Sequence, residues 1–178
     1  KNMNYLENKT ALVTGASSGI GYEIVKYISK FNMKIIVTAR RENNLNQLKK
    51  EVENNSNSEV IILVKDLATP ESPQEIYDFC LSNDLQVDFL VNNAGYGFTS
   101  DFDTYDLNKL DDFMNVLLNS LVKLTRLFLK DMKERKSGKI LQVSSIAGII
   151  PSGSGAIGIY GNIKNFINEF TITLNSTY

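Results

Sequence analysis

Histidine is missing from this chain altogether, and its absence removes more chemistry than any other feature of the composition. A serine nucleophile needs a neighbouring base, most often an imidazole, and zinc and iron sites rely on the same ring. A Ser-Lys or Ser-Glu arrangement stays open, so hydrolysis is disfavoured but not excluded. Cysteine occurs once, as Cys80, which leaves no internal disulfide and no thiolate cluster, and no metal is expected. An excess of one charge is lacking too. The 19 basic and 20 acidic side chains give a formal net charge of -1, with no global pull toward nucleic acid or an anionic membrane. The longest apolar runs, such as "KIIVTA" and "EVIILV", fall far short of the roughly 20 residues that cross a bilayer. No charged n-region and apolar h-region open the chain. The expected setting is cytoplasmic, with neither nucleic acid nor membrane as partner. The N-x-S/T matches at Asn8, Asn54 and Asn175 then read as chance products of an asparagine-rich chain. Any chemistry has to run on tyrosine, lysine, serine, carboxylates or a borrowed cofactor.

What is present is a regular alternation. The 178 residues, 43% of them hydrophobic, suit one domain, residues 1–178, with a sizeable core. Short β-branched runs read as strands: "TALVTG", "MKIIVTA", "EVIILVK", "QVDFLVNN" and "GKILQVSS". Apolar residues at helical spacing lie between them. These are Ile20, Ile24, Ile28 and Phe31, then Leu45, Leu48 and Val52 in a helix from about 42 to 54, then Ile76, Phe79 and Cys80. A long helix over about 106–133 carries Leu110, Phe113 or Met114, Leu117, Leu121, Leu124 and Phe128, and a last helix starts near Tyr160. Continuously apolar strands alternating with helices predict an α/β fold, a doubly wound parallel sheet with helices on both faces. Ligands in such sheets sit beyond the C-terminal strand ends, and the short motifs of this sequence fall there.

The first of these motifs is "TGASSGIG", residues 14–21. Gly15-Ala16-Ser17-Ser18-Gly19 satisfies G-x-S-x-G, the elbow that presents a nucleophilic serine. The same residues supply Gly15, Gly19 and Gly21, a turn whose backbone can approach phosphate oxygens. The strand–turn–helix context suits both readings, and a purely structural turn as well, so the decision rests on the remainder of the chain.

Thr14-Gly15-x-x-x-Gly19-Ile20-Gly21, Asn92-Asn93-Ala94-Gly95 and Tyr160-x-x-x-Lys164 occur in order and on the expected elements. Together they resemble the short-chain dehydrogenase/reductase family, nearest its NADP-preferring members, and "LQVDFLVNNAGYG" and "LTRLFLKDM" are similar to its usual phrasing. The resemblance covers nearly the whole chain. It implies a Rossmann-like fold and a glycine turn that holds a nucleotide, with Ser17, Ser18 and Ile20 as cofactor contacts. Where the family's NAD-binding members carry an acid after the second strand, this chain reads Ala39-Arg40-Arg41. An arginine pairs bidentately with a 2′-phosphate, so NADP(H) is expected, with Arg40 as discriminator and Arg41 as second candidate. Asp66-Leu67 resembles the family's adenine-contacting pair, and its bland reading is a helix-capping aspartate. Asn93, Ala94 and Gly95 would line the adenosine side, in part structurally.

The implied catalytic group is Ser145, Tyr160 and Lys164. Tyr160 and Lys164, four apart on a helix, share a face, and a nearby ammonium favours tyrosinate. Such a phenol can exchange a proton with a carbonyl oxygen as hydride moves. Lys164 would also clamp the nicotinamide ribose. Ser145, with Ser144 as the neighbouring alternative, would orient the reacting oxygen.

Three departures from the family pattern stand out. The separation 160 − 145 = 15 is two residues longer than the family's habit, with "GSGAIGI" as the loop that absorbs them. Leu117 stands where the family carries an asparagine credited with a water-mediated proton relay. Asn115 and Asn119 lie two residues to either side, about 200° around a helix. The chain is also short at its C-terminus, ending at "TLNSTY" where the family continues with further strands, which predicts an exposed edge on the fifth strand. "YGFTSDFDTYD" is expected to line part of the substrate pocket, and "KERKSGK" to be solvated. The function expected is interconversion of a small-molecule carbonyl and alcohol, in a homo-oligomer (dimer or tetramer). The alternative is a nucleotide-binding, catalytically weak member acting as sensor or assembly subunit, with a serine hydrolase at Ser17 a distant third.

Overall fold

The computed structural model of the chain describes residues 5–97, 102–150 and 158–178. Five strands, β1 (Thr10–Thr14), β2 (Lys34–Ala39), β3 (Glu59–Val64), β4 (Phe89–Asn92) and β5 (Lys139–Gln142), form one parallel sheet in the order β3-β2-β1-β4-β5. The helices are α1 (Gly19–Ile28), α2 (Glu42–Asn55), α3 (Ser72–Ser82), α4 (Leu107–Met114), α5 (Ser120–Glu134) and α6 (Gly158–Thr177). The register aligns Thr14 with Thr38 and Ala39 with Val64, and pairs Asn92 with Gln142. All C-terminal strand ends therefore open on one side. The order reverses at β1, between β2 and β4, which is where a doubly wound sheet opens its binding crevice.

Alternation along the strands serves two cores. Leu12, Ile36 and Leu90 face α3, α5 and α6, meeting Ile76, Cys80, Leu121, Leu124, Phe128 and Ile167. Ala11, Val13, Ile35, Val37 and Val91 face α1 and α2, meeting Val25, Ile28, Leu45, Leu48 and Val52. Each fully buried aliphatic side chain contributes about 1.5–3 kcal/mol. On the first helix the buried stripe is Gly21, Val25 and Ile28; of the series read from spacing, Ile28 is buried, Ile24 and Phe31 pack against the core, and Ile20 is 62% exposed. The glycine at 21 brings that edge of the helix hard against the turn, which rotates Ile20 out toward the strand ends.

The long helix is not uniform. A π-helical turn, Asn115–Asn119, joins α4 to α5. Phe113 and Phe128 are both buried, and the step of fifteen positions from one to the other would make about 4.2 turns at 3.6 per turn. The wider π turn absorbs about one residue, which returns Phe113, Leu117, Leu121, Leu124 and Phe128 to one face. In the basic run after it, Lys133, Lys136 and Lys139 are exposed as expected, but Arg135 is half-buried, and its guanidinium donates to Val87 O. A backbone carbonyl two residues before β4 thus holds it partly out of solvent. Among the described residues β5 pairs on one side only, with β4, and no helix is long and apolar enough to cross a membrane.

Candidate active site

A cleft of about 540 Å³ opens at the C-terminal ends of β1, β2, β3, β4 and β5. Its floor is the glycine turn. Gly15 adopts φ +67°, and Gly21 has no room for a side chain, since a Cβ there would stand 2.4 Å from Asn93 Nδ2 and 2.6 Å from Gly15 O. Gly21 does not itself line the cleft; it closes the turn from behind. Thr14 and Asn93 lock the turn to β4. Thr14 Oγ1 accepts from Asn93 N and Ala94 N, both at 3.0 Å, and Asn93 Nδ2 donates to Thr14 O at 3.0 Å and Gly15 O at 3.2 Å. This is why two short motifs, 78 residues apart at their closest bond, form one feature.

The helix that follows starts without a side-chain cap and without an acid in its first turn. Its free N–H groups and dipole face the cleft, an arrangement that receives anions. A Cβ on Gly19 would meet nothing within 4 Å, so the backbone there lies open to a ligand. At the end of β2, Thr38 Oγ1 is buried without a partner among the described residues, and Thr38 lines the same cleft. An orphaned hydroxyl, uncapped N–H groups and an open glycine are what a dinucleotide's ribose and phosphates require.

The two arginines divide their contacts. Arg41 Nη2 donates to Ser18 Oγ at 2.6 Å and Ser17 Oγ at 3.0 Å. Arg40 Nη1 lies 3.8 Å from Asp66 Oδ2, with its side chain 66% exposed. Arg40, Arg41, Asp66 and Leu67 all line the cleft. Asp66 also caps its own turn, Oδ1 accepting from Ala68 N at 3.0 Å. Ser17 thus faces a guanidinium, and among the described residues no carboxylate or lysine is hydrogen-bonded to its hydroxyl, which does not suit a nucleophile.

At the other end, Lys164 is buried, and its Nζ donates to Val143 O at 2.8 Å. Burial pulls its ammonium below the ordinary lysine range. That Nζ lies 5.6 Å from the Tyr160 ring centroid. Tyr160, Lys164, Asn93, Ala94 and Gly95 line the cleft together with Ser17, Ser18, Gly19 and Ile20. The two serines after β5 separate. Ser144 lines the cleft, its Oγ donating to Lys164 O at 2.9 Å. Ser145 is turned to the neighbouring 3₁₀ turn, its Oγ accepting from Ala147 N at 3.2 Å, and is not among the cleft residues. Residues 98–101 and 151–157 lie outside the described residues, and with them part of the expected substrate wall and most of the loop that lengthens the Ser–Tyr gap.

Tyr96 opens the run expected to line part of the substrate pocket. Its ring lines the cleft, stands edge-on to the buried Phe113 at 5.4 Å, and Phe113 in turn meets Tyr160 at 6.4 Å. The signal for it was the aromatic immediately after the Asn-Asn-Ala-Gly turn.

The short chain dehydrogenase family matches residues 9–178. A very-long-chain 3-oxoacyl-CoA reductase of Anas platyrhynchos is 34% identical over 174 residues, covering 94% of this chain and 54% of that protein. A probable NADP-dependent dehydrogenase of Haemophilus influenzae is 32% identical over 173 residues, covering 96% of this chain and 66% of that protein. Among solved structures, L-sorbose reductase from Gluconobacter frateurii, complexed with NADPH and L-sorbose, superposes with TM-score 0.86 at 28% identity, over 96% of this chain and 64% of that one. The chain spans about half the length of the first of these relatives.

Proposed function

The chain belongs to the short chain dehydrogenase family, and from that premise we propose that it binds NADP(H) and interconverts a small-molecule carbonyl and an alcohol. One observation carries the reading: a single cleft joins the glycine turn, Arg40 and Arg41 with the Tyr160–Lys164 pair. Arg40 and Arg41 would hold the 2′-phosphate, the N-terminus of α1 the pyrophosphate, and Asp66 and Leu67 the adenine. Lys164 would hold the nicotinamide ribose. A bound nicotinamide supplies the hydride. Tyr160 donates the proton to the carbonyl oxygen in reduction and takes it back in oxidation. A serine hydroxyl orients that oxygen, from Ser145 on the family pattern or from Ser144 by its place in the cleft. NADPH in the sorbose reductase complex and the NADP-dependent name of the bacterial relative support the choice of cofactor.

A second reading has its own support. Leu117 is buried beside the lysine, and Ser145 is turned to its own loop. Both suit a member that binds nucleotide and turns over slowly. A cytoplasmic homo-oligomer remains part of the proposal.

The test is thermal unfolding with NADPH, NADP, NADH and NAD. A ligand bound only by the native state stabilises by about 2.7 kcal/mol at a hundredfold excess over Kd. A rise with the phosphorylated pair alone, weakened about 10- to 100-fold in affinity by Arg40→Ala as a charge-assisted contact is lost, supports the reading. An equal rise with NADH removes the role given to Arg40, and no rise with any nucleotide overturns the site. NADPH binding without turnover across ketones and aldehydes favours the second reading.

A further inference from the structure

Lys164 sits where three groups converge on the missing side chain of Gly95. The point at which a Cβ of Gly95 would stand is 3.9 Å from Lys164 Nζ, 3.6 Å from Leu117 Cγ and 3.9 Å from Asn93 O. An ammonium has three N–H donors, and this one donates to Val143 O. Its remaining surroundings are decided by the α4–α5 wall. Phe113, Val116 and Leu117 all face inward there, and all are buried. The π turn could have presented an amide instead, because asparagines flank Leu117 on both sides. Both are committed elsewhere: Asn115 Nδ2 donates to Ala68 O at 3.0 Å, and Asn119 Nδ2 to Asn115 Oδ1 at 2.8 Å. Leu117 itself is 1% exposed.

We propose that Leu117 is an apolar plug on the helix side of Lys164, keeping that ammonium dry and leaving the nucleotide cleft as its route to water. Leu117 is thereby a positioning residue. The inference rests on the oxidoreductase reading for its consequence, though not for its geometry. In reduction, hydride joins the carbonyl carbon and the Tyr160 proton joins the oxygen. The phenolate left behind has to regain one proton per turnover, from Lys164 or from water beside it. With the helix side sealed, that proton returns only through the cleft, so proton return is tied to ligand exchange. Among the described residues, the groups found near Lys164 are Tyr160 on its own helix, Val143 and Ser144 from the β5 side, Gly95 after β4, and Leu117 from the π turn. Among the described residues no carboxylate forms an ion pair with it, and burial alone lowers its proton affinity.

The experiment follows the ¹³Cε resonance of Lys164 with pH in the full chain, assigned by its loss in Lys164→Met. In the unsubstituted chain the midpoint lies below those of the other lysines. Leu117→Asn brings an amide between Lys164 Nζ and Asn93 O and shifts the midpoint up toward the ordinary lysine range, while the volume-conserving Leu117→Met leaves it in place. An unshifted midpoint in a folded Leu117→Asn overturns the plug. Should that variant not fold, the unsubstituted chain answers the same question by proton exchange. With NADPH filling the cleft, exchange at Lys164 Nζ slows, and exchange unchanged with NADPH bound overturns the proposal. Turnover is read separately. Leu117→Asn raises it about 10-fold, below the roughly 100-fold or more that a group placed directly on the reacting atoms contributes. A shifted midpoint with no turnover in any variant removes the oxidoreductase reading and leaves the plug standing.

Discussion

Gly21→Ala is the sharpest test of how this site is built. The substitution adds one methyl group inside α1, where alanine is the better helix former by about 1 kcal/mol. The structure forbids the gain. The new Cβ would lie 2.4 Å from Asn93 Nδ2, 2.6 Å from Gly15 O and 3.0 Å from Gly15 C. Gly15 O is backbone and cannot swing aside. Asn93 can move only by giving up its bonds to Thr14 O and Gly15 O. Overpacking of this kind costs about 1–3 kcal/mol, and each lost hydrogen bond about 1 kcal/mol. After the propensity gain is subtracted, a net loss of about 3 kcal/mol is expected. Urea unfolding reads it directly, as a midpoint lowered by about 1.5 M for a slope near 2 kcal/mol per M. Two other glycines calibrate the number. A Cβ on Gly95 would meet its nearest atom at 3.6 Å, so Gly95→Ala should stay within about 0.5 kcal/mol of the parent. At Gly19 the space is open but φ is +59°, and Gly19→Ala should cost about 1–2 kcal/mol from conformation alone. If Gly21→Ala is no less stable than Gly19→Ala, steric closure of the turn against Asn93 is the wrong account.

Two further outcomes are expected. Tyr77 donates to both carboxylate oxygens of Asp131, at 3.0 and 2.8 Å, and burial, then that bond, pushes its phenol up from 10.0 to about 12. A raised folded-state value means a contribution present in full below pH 10 and lost as pH climbs toward 12. Tyr77→Phe should therefore cost about 1 kcal/mol at pH 8, with the difference in urea midpoint closing at pH 11; a gap of the same size there refutes it. Cys80 is 1% exposed, and burial pushes its thiol up to about 12. Labelling by a disulfide reagent at neutral pH should track unfolding in urea, and rapid labelling of the native chain would contradict its buried, protonated state.

Much of this molecule was legible in one dimension because its signals are local. β1 to β5 are runs of β-branched residues, and their alternation with helical spacing implies a parallel sheet whatever the tertiary detail. The glycine turn, the Asn-Asn-Ala-Gly turn and the Tyr160–Lys164 pair lie at strand ends or one helical turn apart, so spacing alone brought each to the crevice side. Cys80 could be placed in the core from its position on α3.

What the sequence left open was decided by contacts across long separations. Whether Gly21 touches a ligand or closes the turn depends on Asn93, which arrives from another strand. The division between Arg40, paired with Asp66, and Arg41, held on Ser17 and Ser18, depends on how the ends of β1, β2 and β3 lie side by side. Ser144 and Ser145 look equivalent in the chain, but one packs against α6 and the other caps its own turn. The π turn is visible only as an uneven spacing of Phe113, Leu117 and Leu121 until packing demands one face. It brings Leu117 beside Lys164, 47 positions along the chain (164 − 117 = 47). Backbone periodicity is written in neighbouring residues, whereas burial, steric closure and the partner of each charge are properties of surfaces that meet only when the sheet has closed.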